Sequence, residues 1–120
     1  MKFQLALCQM KVGMDKKQNL AAAETMVREA VKNGAEMAAL PEMFNCPYSN
    51  KYFREYAESE NGETVAFLSA LAKELNIYLV GGSIPELDDG KVYNTSLYFD
   101  REGNVIGKHR KIHLFDIDVK

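Results

Sequence analysis

The chain has 120 residues, of which 47% are hydrophobic and 27% charged, and its formal net charge is −2 at pH 7. This length allows one domain or less. The lack of a basic excess argues against a protein that tracks nucleic-acid phosphates. No apolar run reaches the roughly 18 residues of a membrane helix, and the first residues become polar too soon for a signal peptide.

The chain contains two cysteines, Cys8 and Cys46. Without an export signal they indicate a reduced, cytoplasmic setting rather than a disulfide framework. Two thiols cannot complete a zinc site, and no CxxC or HxxxH spacing is present, so we expect neither a metal nor a cofactor. Cys8, within an apolar run, is predicted to be an inert core thiol. Cys46 is the only cysteine placed to be reactive, but no obvious neighbour would lower its pKa, which favours a structural role.

The first third of the chain predicts a βαβ unit. The apolar run Phe3–Met10 predicts a buried strand. Asp15 can cap an amphipathic helix from about Lys16 to Asn33, and Gly34 supplies its left-handed end. A second apolar run, Glu36–Leu40, predicts another strand. Two strands joined by a helix should be parallel and adjacent or nearly so.

The regular pattern lapses between Pro41 and Asn61, where turn residues are frequent. Four aromatic residues interrupt this stretch: Phe44, Tyr48, Tyr52 and Phe53. A long irregular loop with this composition either lines a pocket or covers an edge of the sheet. The sequence leaves both interpretations open.

The second half of the chain predicts a helix at Thr64–Leu75, a buried strand at Ile77–Val80 and an alternating strand at Lys91–Phe99. A hairpin loop at 100–104 then returns the chain as an antiparallel strand, Val105–Ile112. On the alternating strand, Asn94 and its neighbours two residues away share one face. The order of elements predicts an α/β fold with a mixed sheet.

Gly81 and Gly82 follow the third strand directly. Two glycines at a strand end can cradle a phosphate, but no Gly-Lys-Ser/Thr sequence follows and no helix begins there. The pair therefore indicates a close approach between backbones.

Charged residues lie at the predicted ends of two strands. Glu42 follows the second strand, and Lys111 lies near the end of the last strand, which the hairpin allows to run parallel with the βαβ strands. Ligands bind at the carboxyl ends of strands in such sheets. A converging carboxylate and ammonium would suit a base and an oxyanion stabiliser. Spacing alone favours the alternatives of a structural ion pair or two unrelated surface charges.

His109 shares a strand face with Lys111, and His113 continues that face. Either imidazole could take part in catalysis. No GxSxG motif accompanies them, so hydrogen-bonded structural roles are favoured for both.

Four motifs in this order and spacing carry a family resemblance: Leu40-Pro41-Glu42-Met43-Phe44, Leu79-Val80-Gly81-Gly82-Ser83, Tyr93-Asn94-Thr95-Ser96 and Arg110-Lys111-Ile112-His113-Leu114-Phe115-Asp116. Together they resemble the carbon–nitrogen hydrolase (nitrilase) superfamily, and most closely its omega-amidase branch, over Phe3 to Val119. The resemblance implies an α-β-β-α sandwich. Residues 1–120 would be the N-terminal part of that single domain, with its C-terminal half absent, and we expect a homo-oligomer, a dimer.

The resemblance also implies a Glu-Lys-Cys mechanism on a small-molecule amide. Glu42 corresponds to the general base and Lys111 to the lysine that steadies the tetrahedral oxyanion. A cysteine thiolate attacks the amide carbon, ammonia leaves, and water hydrolyses the thioester. Omega-amidases act in this way on monoamides of dicarboxylic acids.

The family nucleophile lies on a later strand, in a segment resembling Ile-Cys-Tyr-Asp. Neither Cys8 nor Cys46 occupies that context, so we expect the isolated chain to be inactive. A competing hypothesis is a non-catalytic binding or assembly module built from half of the fold, covering its apolar faces by self-association. A flavin or nucleotide binder is a weaker third reading, because no phosphate loop is visible.

Overall fold

The computed structural model describes residues 4–111 of the chain. These residues form a six-stranded mixed sheet and three helices. In chain order the elements are β1 (Leu5–Leu7), α1 (Lys16–Lys32), β2 (Met37–Ala39), α2 (Asn50–Tyr56), α3 (Glu63–Leu75), β3 (Tyr78–Val80), β4 (Ile84–Asp88), β5 (Lys91–Phe99) and β6 (Val105–Arg110). This confirms the predicted α/β class with a mixed sheet. Within this range, no helix combines the length and apolar character needed to cross a membrane.

The predicted βαβ unit is present. Strands β1 and β2 pair in parallel, and β2 pairs in parallel with β3. Helix α1 begins where expected because the Asp15 carboxylate accepts hydrogen bonds from the backbone N–H groups of Lys17 and Gln18. It is followed by Gly34 at a φ of 100°, the left-handed conformation that glycine adopts without a steric penalty.

Strand β5 organises the other half of the sheet. Both β3 and β4 pair antiparallel with one edge of β5, and β6 pairs antiparallel with its other edge. Because β6 and β3 are each antiparallel to β5, β6 runs in the same direction as β1, β2 and β3. The carboxyl end of β6 therefore points the same way as the carboxyl end of β2, which precedes Glu42.

The two faces of the sheet have different surroundings. On one face, Ala38, Leu79 and Phe99 are buried with apolar residues of α1 and α3 in the main core. On the opposite face of β1, Leu5 is 52% exposed and Leu7 is 74% exposed. The expectation that the first apolar run forms a buried strand is therefore wrong. Helices α1 and α3 pack on the same face of the sheet, and β1 lies at its edge.

Two elements were not predicted. Helix α2 lies inside the stretch expected to be irregular, where Ser49 precedes it without a side-chain capping bond and Phe53 anchors it in a small core. Strand β4 contains Pro85, a residue that weakens a strand pattern. The sequence feature that indicates this strand is Asp89-Gly90, a dipeptide typical of hairpin turns. The two residues adopt φ angles of 51° and 76° in the turn that leads into β5.

Candidate active site

The structure brings Glu42 and Lys111 together. The Nζ of Lys111 lies 3.5 Å from the Oε2 of Glu42, and both side chains are about half exposed, at 55% and 46%. The predicted convergence at one end of the sheet is thus confirmed as geometry. An ion pair of this length is compatible both with a structural contact and with a catalytic pair, so the surrounding groups must distinguish them.

An open cleft of about 340 Å³ surrounds this pair. Its walls come from the carboxyl ends of β2 and β3 and from one face of β5 and β6; they are Leu40, Glu42, Val80, Gly82, Ser83, Asn94, Ser96, His109 and Lys111. His109 therefore shares the cleft with Lys111, as their common strand face predicted. His113 lies outside the described residues. The cleft is large enough for a small molecule and is lined by several polar groups.

The aromatic loop does not line this cleft. Phe44 and Phe53 are fully buried core residues, whereas Tyr48 is 64% exposed and packs edge-on against Phe53. The pocket-lining interpretation is therefore wrong for the Glu42 cleft. Phe44 packs with the main core and Phe53 with a smaller cluster, because both side chains are large and apolar.

Asn94 also belongs to the site, although the sequence pattern predicted no role for it. Its Nδ2 donates a hydrogen bond of 2.6 Å to Oε2 of Glu42, the oxygen that Lys111 also faces. Its main-chain carbonyl accepts the N–H of Lys111 at 2.9 Å. The alternation of β5 placed Asn94 on a defined face, but only the pairing of β5 with β6 shows that this face meets both charges.

The turn that carries Glu42 is held by the glycine segment after β3. Met43 adopts a φ of 50°, and its N–H donates to the Oγ of buried Ser83 at 3.0 Å. A Cβ added at Gly82 would lie 2.1 Å from the carbonyl oxygen of Pro41. The predicted close backbone approach is confirmed, and it fixes the chain on both sides of Glu42.

Neither cysteine lies in the cleft. Cys46 is fully buried beside Met43 and Val92, and burial raises the pKa of its thiol to about 11, with an opposing but smaller effect of Lys16. Burial also raises the pKa of the Cys8 thiol. Both groups are thiols rather than thiolates at neutral pH, and thiols are weak nucleophiles. The expected core position of Cys8 is confirmed, and Cys46 lies in a small buried cluster outside the cleft.

The other face of β6 carries a second charged cluster around Glu86. One carboxylate oxygen accepts from Arg110 Nε at 2.9 Å and from the Thr95 hydroxyl at 2.7 Å; the other contacts Lys108 Nζ at 2.7 Å. Burial alone would raise the pKa of Glu86. Hydrogen bonds from these three partners outweigh that effect and hold the pKa below its ordinary value. Lys108 and Arg110 thus hold the Glu86 carboxylate and lie outside the cleft.

Comparison with known proteins agrees with this arrangement. The sequence profile of the Carbon-nitrogen hydrolase family matches residues 4–120. The chain belongs to this family, the carbon–nitrogen hydrolase (nitrilase) superfamily, which confirms the resemblance of the four motifs.

Individual relatives are more specific. The chain is 55% identical over 118 residues to the omega-amidase NIT2 of Xenopus tropicalis and 53% identical over 117 residues to that of Homo sapiens. Each match covers 98% of this chain but only 43% and 42% of the respective relative. The chain therefore spans less than half the length of these curated relatives.

Solved structures show the same partial coverage. Nit3 of Saccharomyces cerevisiae, a member of branch 10 of the nitrilase superfamily, is similar with a TM-score of 0.87 at 43% identity, over 94% of this chain and 45% of that one. XC1258 of Xanthomonas campestris, a CN-hydrolase superfamily protein, gives a TM-score of 0.82 at 25% identity. The match covers 94% of this chain and 42% of XC1258. The described sheet and helices are thus an arrangement found in nitrilase-superfamily proteins.

Proposed function

We propose that this chain is the amino-terminal part of an omega-amidase-like hydrolase that cleaves the C–N bond of small linear amides. The observation that carries the proposal is the Glu42–Lys111 pair, 3.5 Å apart in an open cleft at the strand ends. Relatives named omega-amidases, more than half identical over nearly the whole chain, support monoamides of dicarboxylic acids as the substrate class.

In the proposed reaction, the carboxylate of Glu42 takes the proton of a cysteine thiol. The thiolate attacks the amide carbon, and the ammonium group of Lys111 stabilises the negative charge that develops on the carbonyl oxygen. Glu42 then returns the proton to the nitrogen as the C–N bond breaks and ammonia leaves. Water, deprotonated by the same carboxylate, hydrolyses the thioester.

The nucleophile is proposed to lie in the part of the relatives that this chain does not cover. Cys8 and Cys46 are buried away from the cleft, and burial raises the pKa of both thiols. Since removing the attacking thiol removes the covalent route, we expect no amide hydrolysis by the 120-residue chain alone. Two unreactive, buried thiols are also compatible with the reduced cytoplasmic setting that forms part of the proposal.

The test uses a covalent chimera, in which this chain is followed by the segment of Xenopus tropicalis omega-amidase that comes after its matched residues. We expect the chimera to release ammonia from a glutaramate-type monoamide and the 120-residue chain to release none. Ammonia release by the short chain would show that the nucleophile is present in it. An inactive but folded chimera, beside an active Xenopus tropicalis enzyme, would contradict the amidase proposal.

A second candidate function is an assembly module, favoured by the exposed apolar residues on strands at the two edges of the sheet. Besides Leu5 and Leu7 on β1, Val105 and Ile106 on β6 are 48% and 61% exposed. Contiguous apolar surface of this kind marks sites of association. A folded homo-oligomer of the 120-residue chain by light scattering, together with an inactive chimera, would decide for this candidate. A Leu7→Ser variant that stays monomeric would locate the contact on β1.

A further inference from the structure

We propose that Asn94 is a positioning residue that holds one oxygen of Glu42 and thereby assigns the other oxygen, Oε1, to proton transfer. The proposal rests on the function proposed above for Glu42. It concerns which oxygen accepts the proton and what keeps that oxygen in place.

The first observation is that two groups converge on the same carboxylate oxygen. Oε2 of Glu42 accepts the Asn94 amide at 2.6 Å and faces the Lys111 ammonium at 3.5 Å. The donor must be the NH₂ of Asn94, because an ionised carboxylate can only accept. A short hydrogen bond to a charged group has strong directional preference, so Oε2 is fixed.

The second observation concerns the other oxygen. Among residues 4–111, no hydrogen bond or ion pair reaches Oε1 of Glu42. The side chain lines the cleft and remains 46% exposed. Oε1 therefore keeps its lone pairs available to a proton donor that enters the cleft, which is the requirement for a general base.

The third observation is that Asn94 also locates the lysine. Its carbonyl oxygen accepts the backbone N–H of Lys111 at 2.9 Å, and Asn94 itself is only 5% exposed. One buried residue of β5 thus contacts the side chain of the base and the main chain of the cation. Substitution of the side chain removes the first contact and leaves the second, so the two can be separated by experiment.

Asn94→Asp and Asn94→Ala provide the critical variants. Asp has the same shape but lacks the NH₂ donor and brings a second carboxylate toward Glu42, whereas Ala removes the donor without adding charge. Asn61→Asp and Asn61→Ala are matched controls, because Asn61 is exposed and, among the described residues, its backbone N–H rather than its side chain makes a hydrogen bond. In the active chimera we expect kcat to fall about 10²-fold for both Asn94 variants, with KM within a few-fold, because misplacing a catalytic group has effects of this size.

A spectroscopic measurement on the 120-residue chain tests the contact without requiring activity. The ¹³Cδ resonance of Glu42 should move in both Asn94 variants and stay in place in the Asn61 controls, while the backbone N–H of Lys111 remains protected from exchange. An unmoved ¹³Cδ resonance, or full kcat in an active chimera carrying Asn94→Ala, would overturn the proposal. An inactive wild-type chimera would count against the proposed function, and the Glu42 resonance would still decide whether Asn94 holds the carboxylate.

Discussion

Strand β6 places a carboxylate–cation site on each of its two faces. On one face, Glu86 is buried against Lys108 and Arg110, with a side-chain exposure of 4%. On the other, Glu42 meets Lys111 in an open cleft and is 46% exposed. The cations of both sites come from four consecutive positions of the chain, 108–111. Their difference lies in how many carboxylate oxygens are occupied.

Both oxygens of Glu86 are occupied, one by Arg110 and Thr95 and the other by Lys108. A buried carboxylate bridged by two cations in this way contributes to stability and to the registration of β4 with β6. Among residues 4–111, partners reach only one oxygen of Glu42. The Glu42 site, with one carboxylate oxygen open to the cleft, is therefore suited to chemistry. The Glu86 site, with donors on both oxygens, is suited to holding the strand.

The largest expected effect is on catalysis at Lys111. Replacing it with Met keeps an unbranched side chain but removes the ammonium group that would stabilise the oxyanion. We expect kcat of the chimera to fall about 10²–10³-fold, the usual cost of losing one such donor. Lys91→Met is the matched control, because Lys91 is an exposed lysine on neighbouring β5 and lies outside the cleft. Equal activities of the two variants in an ammonia-release assay would remove Lys111 from the mechanism.

The next effect is on stability at Glu86. Glu86→Gln leaves Lys108 and Arg110 without their shared counter-charge, which in a fully buried pair costs about 3–5 kcal/mol. Both cations are 31% exposed and solvent screens them, so we expect the free energy of unfolding to fall by about 2 kcal/mol. Urea denaturation of the 120-residue chain measures this change.

Two further variants complete the stability comparison. Glu29→Gln on the exposed side of α1 controls for the loss of a surface charge, and Glu42→Gln, at the half-exposed site, should change stability by less than about 1 kcal/mol. A larger loss for Glu42→Gln than for Glu86→Gln would reverse the assignment of the two sites.

A stability effect of similar size is expected at Gly82. Ala at this position would have a φ of +59° and a Cβ 2.1 Å from the Pro41 carbonyl oxygen. Gly90→Ala is the matched control, since Gly90 also has a positive φ, of +76°, but open space around it. We expect Gly90→Ala to cost about 1 kcal/mol of stability and Gly82→Ala about 1–2 kcal/mol more through the clash.

Activity distinguishes the same two glycine variants. Only Gly82→Ala should lower kcat of the chimera, because only this substitution displaces the turn that carries Glu42. Equal kcat for the two variants would show that this turn tolerates the shift.

The smallest effect is the pH dependence at Glu86. Its pKa in the folded chain lies below the ordinary value of about 4.3. The stabilisation is therefore present above that value and is lost as pH falls toward the folded pKa. We expect the difference in unfolding free energy between wild type and Glu86→Gln to narrow between about pH 5 and pH 3. A difference that stays constant over this interval would argue against the lowered pKa.

Local patterns in the sequence were sufficient for the elements that position the site. The cap at Asp15, the left-handed glycine at 34 and the alternation of Lys91–Phe99 each act within a few residues. Together with the hairpin, they placed Glu42 and Lys111 at the same end of one sheet. The family resemblance then gave these two residues proposed roles that spacing alone could not supply.

What the sequence did not reveal depends on contacts between distant segments. The roles of Asn94 and Glu86 follow from the register of β5 with its two neighbours, which the pattern of a single strand does not contain. Leu5 and Leu7 form an apolar strand pattern, yet their exposure depends on which layers cover the sheet. Strand β4 is short and contains Pro85, so its local pattern is weak and its position depends on pairing with β5.

The central claim is that Glu42 is a general base and Glu86 a structural carboxylate. The most direct test is ammonia release from a glutaramate-type monoamide by the chimera carrying Glu42→Gln, measured beside the wild-type chimera. We expect kcat to fall about 10²–10⁴-fold, the usual contribution of a positioned base, while the variant unfolds at the same urea concentration as wild type. Retained activity in a folded Glu42→Gln chimera would contradict the account.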